Sequence, residues 1–166
     1  MCECETTFVK SEQGLYQAFG PVTPEAIVRT AAAILQENLT RGDTLSHPEE
    51  AARFLQMALA NEKNEHFAVL FMNNKNQVLS FERLFFGTVD GTTVHPRIVV
   101  QKALEWNAAS VILAHNHPSG HSEPSQADRD VTQRLVKALG LIDVRVLDHL
   151  VVSQSGWESL SRRGWV

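Results

Sequence analysis

Hydrophobic residues recur at helical spacing in two segments of the first third of the chain. The first predicted helix begins at Pro24, a residue suited to the first turn of a helix, and runs to about Leu39. The second begins near Ser46, where a serine precedes a glutamate by three residues in a capping-box pattern, and runs to about Ala60. Residues 1–23 contain glycine and proline breakers, so we expect them to be irregular.

Short apolar runs dominate the rest of the chain and alternate with amphipathic segments. The runs predict strands at 66–72, 77–86, 110–114, 144–147 and 150–152. The amphipathic segments predict one helix that begins at Pro96 and another that follows Pro124 and ends at Gly140. Because strands and helices alternate, we predict an α/β fold in which helices flank a mixed β-sheet.

Length and composition are those of an ordinary globular domain. The chain has 166 residues, of which 43% are hydrophobic and 20% charged. We assign residues 1–45 to an N-terminal extension that holds one helix, and residues 46–166 to the main domain. Apolar runs stay well below the roughly 18 residues of a membrane span, and the acidic N-terminus lacks the apolar core of a signal peptide. We therefore expect a cytoplasmic protein without a membrane partner.

Charge and cysteine content narrow the classes of function. A net charge of −4 does not support a strongly basic DNA-binding face. The two cysteines, Cys2 and Cys4, are separated by one residue, a poor geometry for a mutual disulfide and too few thiols for a zinc ribbon. We expect both to be reduced thiols, so any metal must be held by histidines and carboxylates.

A pair of histidines follows the predicted strand 110–114. His115 and His117 are two residues apart, and such residues in an extended chain point to the same side with Cα atoms roughly 6–7 Å apart. A loop containing proline and glycine then turns the chain, and the next helix carries Asp128 in its first turn. Two imidazoles and a carboxylate, with a fourth position left to water, are typical of catalytic zinc. The segment therefore predicts one mononuclear zinc site.

Each part of this pattern also has a purely structural explanation. A single His-x-His pair is a weak signal, because two histidines often meet by chance or line a polar strand edge. Asp128 follows Ser125 by three residues, as in a capping box, where both side chains satisfy amides at a helix start. The two explanations of Asp128 are compatible, because a capped helix start can still face a metal.

The complete arrangement, His-x-His followed by seven residues and Ser-x-x-Asp, resembles the JAMM motif of the JAB/MPN metallopeptidases. More narrowly, residues 112–120 (ILAHNHPSG) followed by Pro124-Ser125 resemble the RadC family, with supporting matches at 84–88 (LFFGT), 94–97 (VHPR) and 148–150 (DHL). The resemblance covers residues 46–166 and is nearest to short RadC-like proteins of bacterial chromosomes and prophages. Longer members carry a helix-hairpin-helix region, whose glycine pattern the first 45 residues here lack.

The resemblance implies a JAB/MPN architecture related to the cytidine deaminase fold. It implies Zn²⁺ held by His115, His117 and Asp128. It further implies that Ser125 stabilises the tetrahedral oxyanion, and that a glutamate before an early strand deprotonates the zinc-bound water. Glu65, immediately before the strand predicted at 66–72, matches that position. Two other acids lie nearby in the sequence, Glu62 and Glu82.

Other polar residues are candidates for supporting roles. His121 lies in the loop after the histidine pair, and we expect it to face solvent rather than to be a fourth ligand. His95 and Arg97 stand at a predicted helix start, where they could position the chain or bind an anion. Asp148 and His149 could orient a ligand histidine or satisfy buried strand ends.

Two functions follow from these features. The first is a zinc-dependent hydrolase of peptide or isopeptide bonds. The alternative is a factor associated with DNA repair or a mobile element, in which zinc is structural or vestigial, although the charge does not support DNA as a partner. Deaminase chemistry is disfavoured, because the chain lacks the Pro-Cys-x-x-Cys part of the deaminase pattern and both cysteines are far from the predicted site.

Overall fold

The structure is a computed structural model that describes residues 8–13, 15–40, 48–88 and 92–166. In chain order, its elements are β1 (Phe8–Lys10), β2 (Tyr16–Ala18), α1 (Pro24–Thr40), α2 (Pro48–Leu59), β3 (His66–Met72), β4 (Val78–Phe86), α3 (Pro96–Glu105), β5 (Ser110–Asn116), α4 (Gln126–Gly140), β6 (Arg145–Val152) and β7 (Trp157–Ser159).

A five-stranded sheet in the order β4-β3-β5-β6-β7 forms the centre of the fold. β3 pairs antiparallel with β4 and β5, and β6 pairs antiparallel with β7, whereas β5 and β6 are parallel. A parallel pair needs a crossover connection, and α4 supplies it by returning the chain from the end of β5 toward the start of β6. The predicted α/β fold with a mixed sheet flanked by helices is therefore confirmed.

β5 is buried along its whole length because helices cover both faces of the sheet. Ile112 and Ala114 belong to the core shared with α2, whereas Val111 and Leu113 belong to the core shared with α3 and α4. Burial on both faces accounts for the continuous apolar run in the sequence. His115 continues the alternation of Val111 and Leu113, so its side chain points toward the α4 side.

The N-terminal region is more regular than predicted. Phe8–Lys10 and Tyr16–Ala18 form an antiparallel pair within the segment that we expected to be irregular. Each strand has only three residues, too few for an alternating pattern to register in the sequence. The predicted capping box at Ser46 lies outside the described residues, as do Cys2 and Cys4.

One strand replaces the two that were predicted near the C-terminus. β6 runs unbroken through Asp148 and His149, whose polarity interrupts the apolar pattern in the sequence. Both side chains have polar partners, because Asp148 accepts a hydrogen bond from the hydroxyl of Ser159 and His149 contacts His115. The predicted C-terminal cap contains one further strand, β7.

The boundary between residues 1–45 and 46–166 stays a prediction. α1, in the predicted extension, packs against α2 and against β4. Across the described ranges, no helix combines the length and the apolar character that a membrane crossing requires.

Candidate metal centre

The end of β5 and the residue after it place two imidazoles side by side. β5 ends at Asn116, so His115 lies within the strand and His117 one residue beyond it. The backbone N–H of His117 still donates to the carbonyl of Val152 in β6 at 2.9 Å, which keeps the chain extended. The Nε2 atoms of the two histidines are 3.0 Å apart. The sheet therefore fixes both backbones from which the imidazoles project.

Asp128 approaches the histidines from the first turn of α4. Ser125 caps this helix, because its Oγ accepts from the N–H of Asp128 at 3.2 Å and its own N–H donates to Oδ2 of Asp128 at 2.6 Å. The Ser125 hydroxyl also contacts Oδ2 at 2.7 Å. Oδ1 then lies 3.1 Å from Nε2 of His115, and Oδ2 lies 3.6 Å from Nε2 of His117. The helix cap thus orients the carboxylate toward both imidazoles.

The outer nitrogen of each imidazole has its own partner. Nδ1 of His117 is 3.0 Å from the backbone carbonyl of His121, and because a carbonyl only accepts, this nitrogen carries a proton. Nδ1 of His115 is 2.9 Å from Nε2 of His149. Both rings therefore turn Nε2 toward Asp128. The His121 side chain is exposed, so only its backbone takes part.

The spacing of the three side chains suits a single zinc ion. Zinc binds imidazole nitrogen and carboxylate oxygen at about 2.0–2.2 Å in tetrahedral geometry, which places neighbouring ligand atoms about 3.3–3.6 Å apart. Nε2 of His115 lies 3.0 Å from Nε2 of His117 and 3.1 Å from Oδ1 of Asp128, whereas the other carboxylate oxygen, Oδ2, lies 3.6 Å from Nε2 of His117. One potential ligand atom from each residue lies within 4.8 Å of the others. The donor set, two nitrogens and one oxygen, is one that zinc accepts.

The electrostatic environment keeps Asp128 ionised. Burial opposes its charge, but the contacts with His115, His117 and Ser125 outweigh burial and hold the pKa of Asp128 well below its usual range. The hydrogen bond to Asp128 raises the pKa of His117 against the opposing effect of partial burial. A cation that binds here competes with a proton for Nε2 of His117, so its affinity depends on pH.

A cavity of about 350 Å³ extends from the cluster, near the lower end of the range for small-ligand sites. Its wall combines polar and apolar side chains. Besides the cluster, the cavity is lined by Glu65, Phe67, Thr92, Val94, Pro118, Ser119, Ser125, Ala127 and Val131.

Glu65 stands on the cavity wall immediately before β3. Its backbone is held at three points: its N–H donates to the carbonyl of Thr88 at 3.1 Å, and its carbonyl accepts from Gly87 at 2.8 Å and from the Thr92 hydroxyl at 3.0 Å. The structure therefore brings Glu65, Ser125 and the predicted ligands to one cavity.

The two other acids considered from the sequence are engaged elsewhere. Glu62 accepts a hydrogen bond from the Arg83 guanidinium at 2.7 Å. Glu82 accepts from the indole N–H of Trp106 and lies 3.4 Å from Nζ of Lys102. Neither acid lines the cavity beside the cluster. Glu65 is thus the better placed of the three for reaction with a group in the cavity.

Asn116, which the sequence analysis missed, fastens the Glu65 segment to β5. The Asn116 side chain is fully buried and points to the opposite side of the strand from its two histidine neighbours. Its Oδ1 accepts from the N–H of His66 at 2.8 Å, and its Nδ2 donates to the carbonyls of Asn64 at 3.0 Å and Glu62 at 3.4 Å. The signal in the sequence was an asparagine at the end of a strand whose centre, residues 111–114, is apolar.

Of the other polar candidates, one contacts the cluster and three do not. His95 is the N-cap residue of α3 without a side-chain cap bond, and Arg97 is exposed. Asp148 accepts from the backbone of its neighbour and from the C-terminal turn. His149 contacts His115, and complete burial holds the pKa of His149 well below its usual value. His149 is therefore the candidate that is placed to orient a histidine of the cluster.

Known proteins carry the same domain. A family model described as RadC-like JAB domain matches residues 45–165. A UPF0758 protein of Alcanivorax borkumensis is 54% identical over 132 residues, which cover 80% of this chain and 59% of the relative. A UPF0758 protein of Vibrio campbellii is 47% identical over 142 residues, which cover 86% of this chain and 63% of the relative. A third, from Vibrio cholerae serotype O1, is 50% identical over 140 residues, which cover 84% of this chain and 88% of the relative.

The chain thus spans about six tenths of the length of the first two relatives. The family match covers the sheet, the three helices α2 to α4 and the whole cluster. It confirms the resemblance that the histidine and serine-aspartate motifs indicated. This chain belongs to the RadC-like JAB domain family.

Proposed function

We propose that this chain is a zinc-dependent hydrolase of amide bonds whose substrates are peptides or isopeptides. The observation that carries the proposal is the convergence of two imidazole nitrogens and one carboxylate beside a cavity that Glu65 also lines. His115, His117 and Asp128 would hold the ion. Zinc bound there supplies a Lewis acid that lowers the pKa of water toward neutrality.

Glu65 performs the proton transfers in this proposal. It lines the cavity but is not one of the three clustered groups, which suits a base that must reach the reactants without ligating the metal. Its carboxylate accepts a proton from the attacking water as the water oxygen bonds to the carbonyl carbon. The same proton passes to the nitrogen of the leaving amine when the C–N bond breaks.

Ser125 is the proposed donor to the oxyanion that forms on the carbonyl oxygen. Its hydroxyl rests against Oδ2 of Asp128, which also accepts from the Ser125 backbone N–H at 2.6 Å. The hydroxyl can therefore turn to a substrate oxygen while the backbone bond keeps the carboxylate in place. A fixed donor at a developing negative charge is worth about 10²- to 10³-fold in rate.

The number of clustered groups favours a catalytic over a structural ion. Structural zinc sites are closed by four protein ligands, whereas catalytic sites use three and leave one position open. Among the residues described, the cluster comprises three groups, and it adjoins the cavity. In the alternative function, a factor associated with DNA repair or a mobile element, a structural zinc would require a fourth protein ligand, whereas a vestigial site would not.

The test pairs two glutamate variants of the zinc-loaded protein. Peptide and lysine-isopeptide libraries are incubated with wild type, Glu65→Gln and Glu82→Gln, and the products are identified by mass spectrometry. We expect cleavage by wild type and Glu82→Gln, and a loss of about 10²-fold or more in Glu65→Gln with zinc content unchanged. Glu82 is the matched control because it contacts Trp106 and Lys102 away from the cavity. A zinc-loaded wild type that cleaves neither library would refute the proposal.

A further inference from the structure

A buried chain of hydrogen bonds runs behind the metal cluster. Nδ1 of His115 lies 2.9 Å from Nε2 of His149, and Nδ1 of His149 contacts the hydroxyl of Thr132. The same hydroxyl contacts the backbone carbonyl of Asp128, one turn earlier in α4. The exposed fractions of His115, His149 and Thr132 are 2%, 0% and 0%, so water does not compete for these bonds. The chain begins at one predicted ligand and ends at the backbone of another.

The carbonyl of Asp128, the last acceptor, fixes which atom donates in each of these hydrogen bonds. A carbonyl cannot donate, so the hydroxyl hydrogen of Thr132 lies between its oxygen and the carbonyl of Asp128. The oxygen of Thr132 must then accept from Nδ1 of His149. Because full burial favours the neutral imidazole, Nε2 of His149 has no proton and accepts one from Nδ1 of His115.

The consequence for His115 is a free lone pair on Nε2. That atom is 3.1 Å from Oδ1 of Asp128 and 3.0 Å from Nε2 of His117. Phe67 packs against the rings of His115 and His149. Its ring is parallel to that of His115 within 9° and edge-on to that of His149. Packing therefore fixes the planes of the rings, and the hydrogen-bond chain selects which nitrogen of His115 carries the proton.

We propose that His149 and Thr132 are positioning residues that hold His115 in the Nδ1–H tautomer and so prepare its Nε2 to bind a metal ion. The inference rests on the zinc site of the proposed function but not on hydrolysis. A histidine that binds a metal commonly donates its other N–H to a fixed acceptor, and loss of that acceptor lowers metal affinity by about 10- to 100-fold. Here the acceptor is a second histidine, which is itself oriented by a threonine.

The ionised Asp128 competes with this arrangement, which makes the inference testable. Its Oδ1 would attract a proton to Nε2 of His115, the reverse of the proposed tautomer. Thr132→Val keeps the shape of the side chain but removes the hydroxyl, so nothing then opposes the reversal. Thr132→Ser keeps the hydroxyl and is the matched control.

The tautomers are read in the metal-free protein from long-range ¹H–¹⁵N NMR spectra of ¹⁵N-histidine-labelled samples, and zinc affinity is read by competition with a chelator. We expect the proton on Nδ1 in both His115 and His149 of wild type. In Thr132→Val we expect the His115 proton on Nε2 and zinc affinity lowered by about 10- to 100-fold. The zinc affinity of Thr132→Ser should stay within about threefold of wild type, because its hydroxyl can still donate to the carbonyl of Asp128 and accept from His149.

A wild-type His115 with its proton on Nε2, or Thr132→Val with wild-type zinc affinity, would overturn the inference. If Thr132→Val fails to fold, His149→Gln and His149→Leu provide the same test, because the glutamine amide can accept from His115 and donate to Thr132 and leucine can do neither. Zinc affinity in His149→Leu equal to that of wild type would then overturn the inference. Neither measurement uses a substrate, so a protein with the expected tautomers that cleaves nothing refutes only the proposed hydrolysis.

Discussion

Replacement of Asn116 by alanine tests whether one buried side chain holds the Glu65 segment beside the metal cluster. The change removes hydrogen bonds of 2.8, 3.0 and 3.4 Å to the backbone of residues 62–66. At about 1 kcal/mol for each of the two shorter bonds and less for the longest, the free energy of unfolding should fall by about 2–3 kcal/mol. The N–H of His66 and the carbonyl of Asn64 lose their partners, so the segment that carries Glu65 gains freedom.

Three assays separate loss of position from loss of stability. Urea unfolding measures the free energy, amide hydrogen exchange measures the protection of residues 62–66, and library cleavage measures hydrolysis. Asn73→Ala is the matched control, because the Asn73 side chain makes three hydrogen bonds in the turn between β3 and β4. It should lower stability but leave both exchange in 62–66 and hydrolysis at wild-type values. Unchanged protection of His66 in Asn116→Ala, or equal loss of hydrolysis in both variants, would refute the reasoning.

Three further outcomes are expected. Purified protein should contain about one zinc per chain and His117→Ala should lose it, because a catalytic site needs its three protein ligands, and elemental analysis that finds zinc retained would contradict the site. In metal-free protein, the contact with Asp128 raises the pKa of His117. The stabilisation from this contact is complete below the pKa of about 6.5 that His117 has in the unfolded chain, and it is lost as pH rises through the higher pKa of the folded state. The free energy of unfolding measured in urea should therefore decline over this pH range in wild type but not in His117→Ala. Binding to DNA at physiological salt should be weak for a chain of net charge −4, and a submicromolar Kd would favour the DNA-associated alternative.

The candidate ligands could be predicted from the sequence because they lie close together in it. His115 and His117 follow a strand whose burial on both faces leaves a continuous apolar run, and Asp128 belongs to a recognisable helix cap. Spacing alone did not distinguish the cap from the metal ligand. The structure shows that the cap orients the carboxylate toward both imidazoles, so the capping role and the proposed metal-ligand role are compatible.

Residues that come from distant parts of the chain were harder to predict. His149 contacts a partner 34 residues away, and Asn116 contacts one 50 residues away. Such pairings depend on strand order, which local periodicity does not contain. His149 even misled the assignment of β6, because a buried polar residue resembles a strand end until its partner is known. The hairpin of β1 and β2 was missed for the opposite reason, since three-residue strands are too short to form a pattern.

The placement of all three candidate ligands within residues 115–128 has a thermodynamic consequence for the unfolded chain. The entropic cost of closing a loop rises with the logarithm of its length, so gathering ligands from a segment this short costs less than gathering them from distant parts of the chain. If the proposed zinc site is correct, we expect unfolded molecules to bind zinc through the same side chains. Any such binding reduces the stabilisation that a ligand confers, so zinc should raise the Tm by less than its affinity for the folded protein would give.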